Sequence, residues 1–68
     1  MAEYCVNKVA QANGDHEVHE QGCQFWPAAH NRQSLGNHPN CASAVREARR
    51  HFTNVNGCFY CARPCHTQ

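Results

Sequence analysis

The stretch Gly57-Cys58-Phe59-Tyr60-Cys61 constrains this chain more than any other. Two cysteines separated by two residues, entered through Asn56-Gly57, form a tight knuckle that can aim both sulfurs at one point. That is half of a tetrahedral metal site. Zinc takes four nitrogen or sulfur donors, and structural sites commonly draw two from each of two loops. His19 and Cys23, separated by three residues, supply the other half. Together His19, Cys23, Cys58 and Cys61 read as one Cys3His site for structural zinc. A closed site of this kind keeps no position for a reactive water, so no enzyme is expected.

Composition makes such a staple necessary. Leu35 is the only leucine and there is no isoleucine; with five valines and three phenylalanines, nine of 68 residues are large and apolar. This is about 13%, below the roughly 20% at which disorder becomes a fair prior. Either the chain is disordered or something besides apolar burial holds it, and six cysteines with a net charge of +1 favour the second. A structural zinc contributes about 10–16 kcal/mol of apparent folding free energy in small peptides, and a disulfide about 2–4 kcal/mol. Residues 1–68 are expected to form a single small domain and a monomer. The low net charge predicts no strong electrostatic attraction to any partner class. No apolar run approaches the roughly 20 residues of a membrane span. The opening Met1-Ala2-Glu3-Tyr4-Cys5-Val6 lacks the basic and apolar regions of a secretory signal. A cytoplasmic location is therefore expected, where cysteine clusters more often mean metal than disulfide.

Tyr4 to Val9 reads as a first strand, with Tyr4 and Val6 on one face and Cys5 on the other. Gln11-Ala12-Asn13-Gly14-Asp15 carries the Asn-Gly hairpin signal, and His16 to His19 forms the returning strand. Residues 16 and 19 differ by an odd number, so their side chains point to opposite faces. His16 is accordingly a brace on the hairpin and not a fellow ligand of His19. Phe25-Trp26 is the bulkiest apolar pair and is expected in the core or as a lid over the metal. Ala28 to Ser34 has no period and reads as an exposed loop with His30 solvated; Leu35-Gly36 is a short strand remnant. Asn40 is a good N-cap. Cys41, Ala44, Val45, Ala48 and Phe52 follow at the spacing of one apolar helix stripe, predicting a helix over about 40–52. Arg46, Glu47, Arg49 and Arg50 lie off that stripe and read first as a solvated face. Arg46, Arg49 and Arg50 could instead meet nucleic acid if they share a surface with Trp26, whose ring can stack on bases. The expected fold is thus α+β: a two- or three-stranded sheet built on an N-terminal hairpin, packed on one helix, with a C-terminal zinc knuckle.

Two resemblances bear on these residues. The order of His19-x3-Cys23 on the return from a hairpin, a helix, and Cys58-x2-Cys61 resembles the zinc-binding N-terminal domain of Ada-type DNA-methylation repair proteins. Cys23, Cys58 and Cys61 match three of that family's cysteine positions. His19 replaces its methyl-accepting cysteine, so the resemblance implies a binding or structural module and no methyl transfer. Asn13-Gly14-Asp15-His16-Glu17-Val18-His19, Cys23, Pro27, Leu35-Gly36, Cys41, Ala44-Val45, Ala48, Gly57-Cys58, Cys61 and Cys65-His66-Thr67 are similar to a family of very small, uncharacterised bacterial Cys/His-rich proteins. That likeness implies one compact domain and no activity. Cys5 is expected to be free. Cys41 and Cys65 stay open between a disulfide, membership of the metal site and free thiols. The alternative to a metal module is a disulfide-stabilised mini-protein without metal. A thiol redox enzyme using Cys58 and Cys61 would need a βαβ setting for which the chain is too short.

Overall fold

The structure, a computed structural model, describes residues 1–67. The hairpin forms where Asn13-Gly14-Asp15 demands it. Strand β1 (Ala2–Asn7) turns through residues 8–15 into β2 (His16–Glu20), and the pair is antiparallel with Tyr4 opposite Glu20, Cys5 opposite His19 and Val6 opposite Val18. The turn closes on itself: the Gln11 amide donates to the Asp15 carbonyl at 2.9 Å and the Asp15 amide to Asn13 Oδ1 at 3.0 Å. His16 braces it, with Nδ1 2.9 Å from the Asn7 carbonyl and its ring stacked on Phe52 at 4.1 Å. The first strand ends two residues sooner than expected, leaving Val9 in the turn and 57% exposed.

Two further strands complete a four-stranded sheet in the order β3-β1-β2-β4. Strand β3 (Arg32–His38) pairs antiparallel with β1 and includes residues expected in a loop. Its sequence, Arg-Gln-Ser-Leu-Gly-Asn-His, has no β-branched or aromatic residue. Pairing with β1 makes it a strand, and its place at the sheet edge tolerates the polar composition. At Leu35-Gly36 two residues oppose Tyr4 alone, a bulge; Gly36 has φ +80° there, a backbone setting that glycine adopts without steric cost. Strand β4 (Val55–Gly57) is only three residues long and runs parallel to β2.

Helix α1 (Cys41–Ala48) begins at Asn40, whose Oδ1 accepts the Ser43 amide at 3.0 Å. Regular helix ends at Ala48, and turn hydrogen bonds carry the chain to Phe52, so the expected span to 52 is shortened by one turn. Its predicted stripe is the buried one: Cys41, Ala44, Val45 and Ala48 meet Tyr4, Val6, Val18 and Leu35 of the sheet, with Cys58 and Ala62 from beyond β4. Ala44 and Ala48 are fully covered, so the helix lies close across all four strands. Cys41 is bonded to Cys65 (S–S 2.11 Å), which pins a short 3-10 turn, Arg63–Cys65, to the helix N-terminus. Asn56 ties the same region together. It is buried, accepts the Thr67 amide at 3.0 Å and reaches Asp15 in the hairpin turn at 3.4 Å.

This closing segment explains Gly57. A Cβ at that position would stand 2.7 Å from Cys65 Cβ and 2.8 Å from the Ala62 carbonyl oxygen. Replacing Gly57 with Ala should therefore lower the melting temperature, at a cost of about 1–3 kcal/mol; an unchanged melt would show that the C-terminal turn can move away without loss.

Candidate metal centre

The parallel pair of β2 and β4 positions the cluster. Because β2 and β4 run the same way, with Val18 beside Gly57 as their last pair, the residues that follow that pair emerge at the same end of the sheet. These are His19 and Cys58. The Cys58 amide donates to the Val18 carbonyl at 2.9 Å, fixing the junction. Each chain then turns back at once. The Cys23 amide reaches the Glu20 carbonyl at 3.1 Å, and the Ala62 amide reaches the Cys58 carbonyl at 2.9 Å. Those two turns return Cys23 and Cys61 to the point where His19 and Cys58 already stand.

His19 Nδ1 and the Sγ atoms of Cys23, Cys58 and Cys61 all lie within 4.8 Å of one another. The Nδ1 atom is 3.9 Å from Cys23 Sγ and 3.8 Å from Cys61 Sγ, and the sulfurs of Cys23 and Cys58 are 4.0 Å apart. Metal–sulfur and metal–nitrogen bonds of about 2.3 and 2.0 Å on a regular tetrahedron give edges of about 3.8 Å between sulfurs and about 3.5 Å from nitrogen to sulfur. The four donors therefore lie close enough to bind a metal ion, and all four residues singled out from spacing belong to the cluster. His16 does not.

Main-chain amides complete the arrangement. Glu20 N–H donates to Cys61 Sγ at 3.3 Å, Phe25 N–H to Cys23 Sγ at 3.4 Å and Tyr60 N–H to Cys58 Sγ at 3.4 Å. Each sulfur thus has one donor, an environment that favours thiolate over thiol. Burial acts the other way. It pushes the Cys61 thiol well up, with the neighbouring Cys23 and Cys58 sulfurs adding to the effect and the Glu20 amide opposing it. Burial also lowers the His19 pKa, favouring the neutral imidazole that a metal ligand must be. A divalent ion bound among them would favour the deprotonated sulfurs.

Glu17 is a neighbour of the cluster that nothing in the spacing selects. It stands two residues before His19 on β2 and so on the same face, with its carboxylate 3.7 Å from His19 Nε2. Cys5 is free, as expected, but it is not on an open face. Alternation sends Glu3, Cys5 and Asn7 away from the helix, and the segment from Glu20 to Asn31 crosses that face. There Arg32 donates to the Pro27 carbonyl at 2.9 Å and lies over the Trp26 ring at 5.4 Å. Cys5 is consequently 1% exposed. The Phe25-Trp26 pair is not core. Trp26 is half-buried against Arg32, while Phe25 is 49% exposed and packs on Tyr60. Cys41 and Cys65 form their own bond and stand outside the cluster.

No protein-family model, curated protein or solved structure matches the chain.

Cys5 provides a pH test of this face. Burial, with smaller contributions from Glu3 and Cys23, raises its pKa from 9.0 to about 11 against the opposing pull of Arg32 and the His19 main chain. A thiol whose pKa is raised in the folded state keeps its proton where the unfolded chain loses it. Its contribution to stability is present below about pH 9 and is lost as the pH rises towards 11. Thermal melts of metal-loaded protein should fall over that window, and Cys5→Ala should flatten the fall. An equal fall in the variant would assign it to other groups.

Proposed function

We propose that the chain is a small binding module whose fold is held by one structural zinc ion on His19, Cys23, Cys58 and Cys61. The observation that carries this reading is the convergence of four donors from two separate turns, with one amide directed at each sulfur. Three sulfurs and one imidazole suit zinc better than calcium or magnesium, which prefer oxygen. Four protein ligands complete a tetrahedron, so the site is structural and not catalytic. Glu17 lies 3.7 Å from His19 Nε2, on the ring nitrogen that does not face the sulfurs, where ligating histidines commonly have an outer carboxylate partner. The likeness in ligand order to Ada-type zinc domains points to the same kind of module, without the methyl-accepting cysteine.

The disulfide reading is absorbed in part. One bond, Cys41–Cys65, is present, while Cys5, Cys23, Cys58 and Cys61 are free. A thiolate cluster is the usual cytosolic use of cysteine and a disulfide the usual oxidised one. A chain carrying both keeps them apart, one at the end of the sheet and one between helix and C-terminus. As for partners, Arg46 on the helix and Arg49 and Arg50 in the turn that follows it are exposed, and Glu47 pairs with Arg50 at 3.3 Å. Trp26 packs on Arg32, which pairs with Asn7 on the other side of the sheet. Arginines and indole thus do not share a surface, which counts against a nucleic-acid platform made from both.

Native mass spectrometry with thiol counting tests the reading. One zinc per chain is expected, with loss of structure on chelation. The metal-free, denatured chain should be two hydrogens lighter than the fully reduced one and carry the four thiols of Cys5, Cys23, Cys58 and Cys61. Cys58→Ser should lose both metal and fold, and His16→Ala should keep the stoichiometry. A folded chain without metal and without free thiols would overturn the proposal.

A further inference from the structure

Three aromatic rings stand in the open beside the metal centre of a chain with few large apolar residues to spare. Phe25, Phe59 and Tyr60 are 49%, 43% and 65% exposed. They come from the two turns that carry the ligands, Phe25 following Cys23 and the other two lying between Cys58 and Cys61. They touch one another: Phe25 and Tyr60 are tilted at 5.0 Å, and Phe59 and Tyr60 meet edge to face at 5.2 Å with planes 89° apart. Side chains left in water for no purpose do not ordinarily gather into a patch. These also line a pocket of about 160 Å³, whose remaining walls are Gln11, Glu17 and Cys58.

Size and charge select what such a pocket can take. At about 160 Å³ it is well below the roughly 300–1,000 Å³ of sites for drug-sized ligands, and it suits a single compact group. Its formal charge is negative. Glu17 is the ionisable carboxylate of the lining, and no lysine or arginine contributes to it. Arg63 lies over Phe59 at 4.8 Å but does not line the pocket. On the zinc reading, from which only this charge is borrowed, three thiolates and a neutral imidazole around a divalent ion add a net charge of −1 at the Cys58 wall. A phosphate-bearing nucleotide is repelled there. A cation is attracted by the carboxylate and by the negative faces of the rings.

We propose that the pocket formed by Phe25, Phe59, Tyr60 and Glu17 binds a methylated ammonium group, with the rings supplying cation–π contact and Glu17 the counter-charge. Methylation matters because it removes the strong hydration that keeps a bare ammonium in water and gives the rings an apolar shell to touch. The group can belong to a free quaternary amine or to a methylated lysine of a peptide.

The test uses metal-loaded protein of residues 1–68, with aromatic and amide NMR shifts followed on titration. The probes are choline, a trimethyl-lysine peptide, the unmethylated peptide, adenosine monophosphate, and 3,3-dimethylbutanol as the neutral isostere of choline. Choline or the methylated peptide should shift Phe25, Phe59 and Tyr60. The neutral isostere and the unmethylated peptide should bind more weakly. Phe25→Ala and Tyr60→Ala should each weaken binding by about 2- to 5-fold and keep one zinc per chain. Stronger binding of the peptide than of choline would identify a methylated protein as the source, and the reverse a free amine. Equal binding of the isostere, tighter binding of the nucleotide, or no ring shift while zinc is retained would overturn the proposal. Loss of zinc with binding retained would instead overturn the metal reading alone.

Discussion

The parallel pairing of β2 with the three-residue strand β4 is the interaction on which the rest of this structure depends. It joins the two halves of the chain, bringing Val18 beside Gly57 although 38 residues lie between them. A parallel pair cannot be closed by a short turn; the intervening chain must cross the sheet and return. Here the crossing provides β3 on the far edge and α1 on one face. The return delivers Cys58 next to His19. So short a strand has little to hold it by itself. It is secured at one end by Asn56 and the His16 amide, which donates to the Asn54 carbonyl at 2.8 Å, and at the other by the cysteine turns.

The sheet separates two kinds of cohesion. On the helix side lies the apolar cluster from Tyr4, Val6, Val18 and Leu35 to Ala44, Val45 and Ala48. It is made mostly of small residues, which buries less surface than a leucine-rich core would. On the other side lie Cys5 and His19 under the segment from Glu20 to Asn31. Cys58 belongs to both, as a member of the apolar cluster and as one of the four residues close enough to hold a metal ion. The Cys41–Cys65 bond closes the helix side, and the ligand cluster closes the strand ends. A small chain with a modest core can be ordered in this way, since each cross-link restricts the unfolded chain as well as joining the folded one.

The features legible in the sequence were those with local signatures. Asn13-Gly14 dictates a hairpin, Asn40 starts a helix, and the apolar stripe from Cys41 marks its buried face. Cysteine and histidine spacing picked out the four clustered residues because each pair is set by a short turn. The parity of residues 16 and 19 separated a hairpin brace from a member of the cluster. What stayed hidden was made by tertiary pairing. Of Arg32–His38 only Leu35-Gly36 was legible as strand; the rest lacks β-branched residues, and its conformation comes from the open edge of β1. Val55–Gly57 is too short for any periodic signal. The Cys41–Cys65 bond could not be chosen from spacing, because the residues meet only after the helix and the C-terminal turn have packed. Phe25 and Trp26 read as core or as a lid over the metal; in the fold, Phe25 packs on Tyr60 of the neighbouring turn and Trp26 on Arg32.

X-ray absorption at the zinc edge on the purified, metal-loaded chain tests the central claim most directly, because it reads the donor set without depending on the fold. The account predicts three sulfurs at about 2.3 Å and one nitrogen at about 2.0 Å, with no bound water. A shell of four sulfurs, a shell containing oxygen, or a protein that folds with no metal would contradict it.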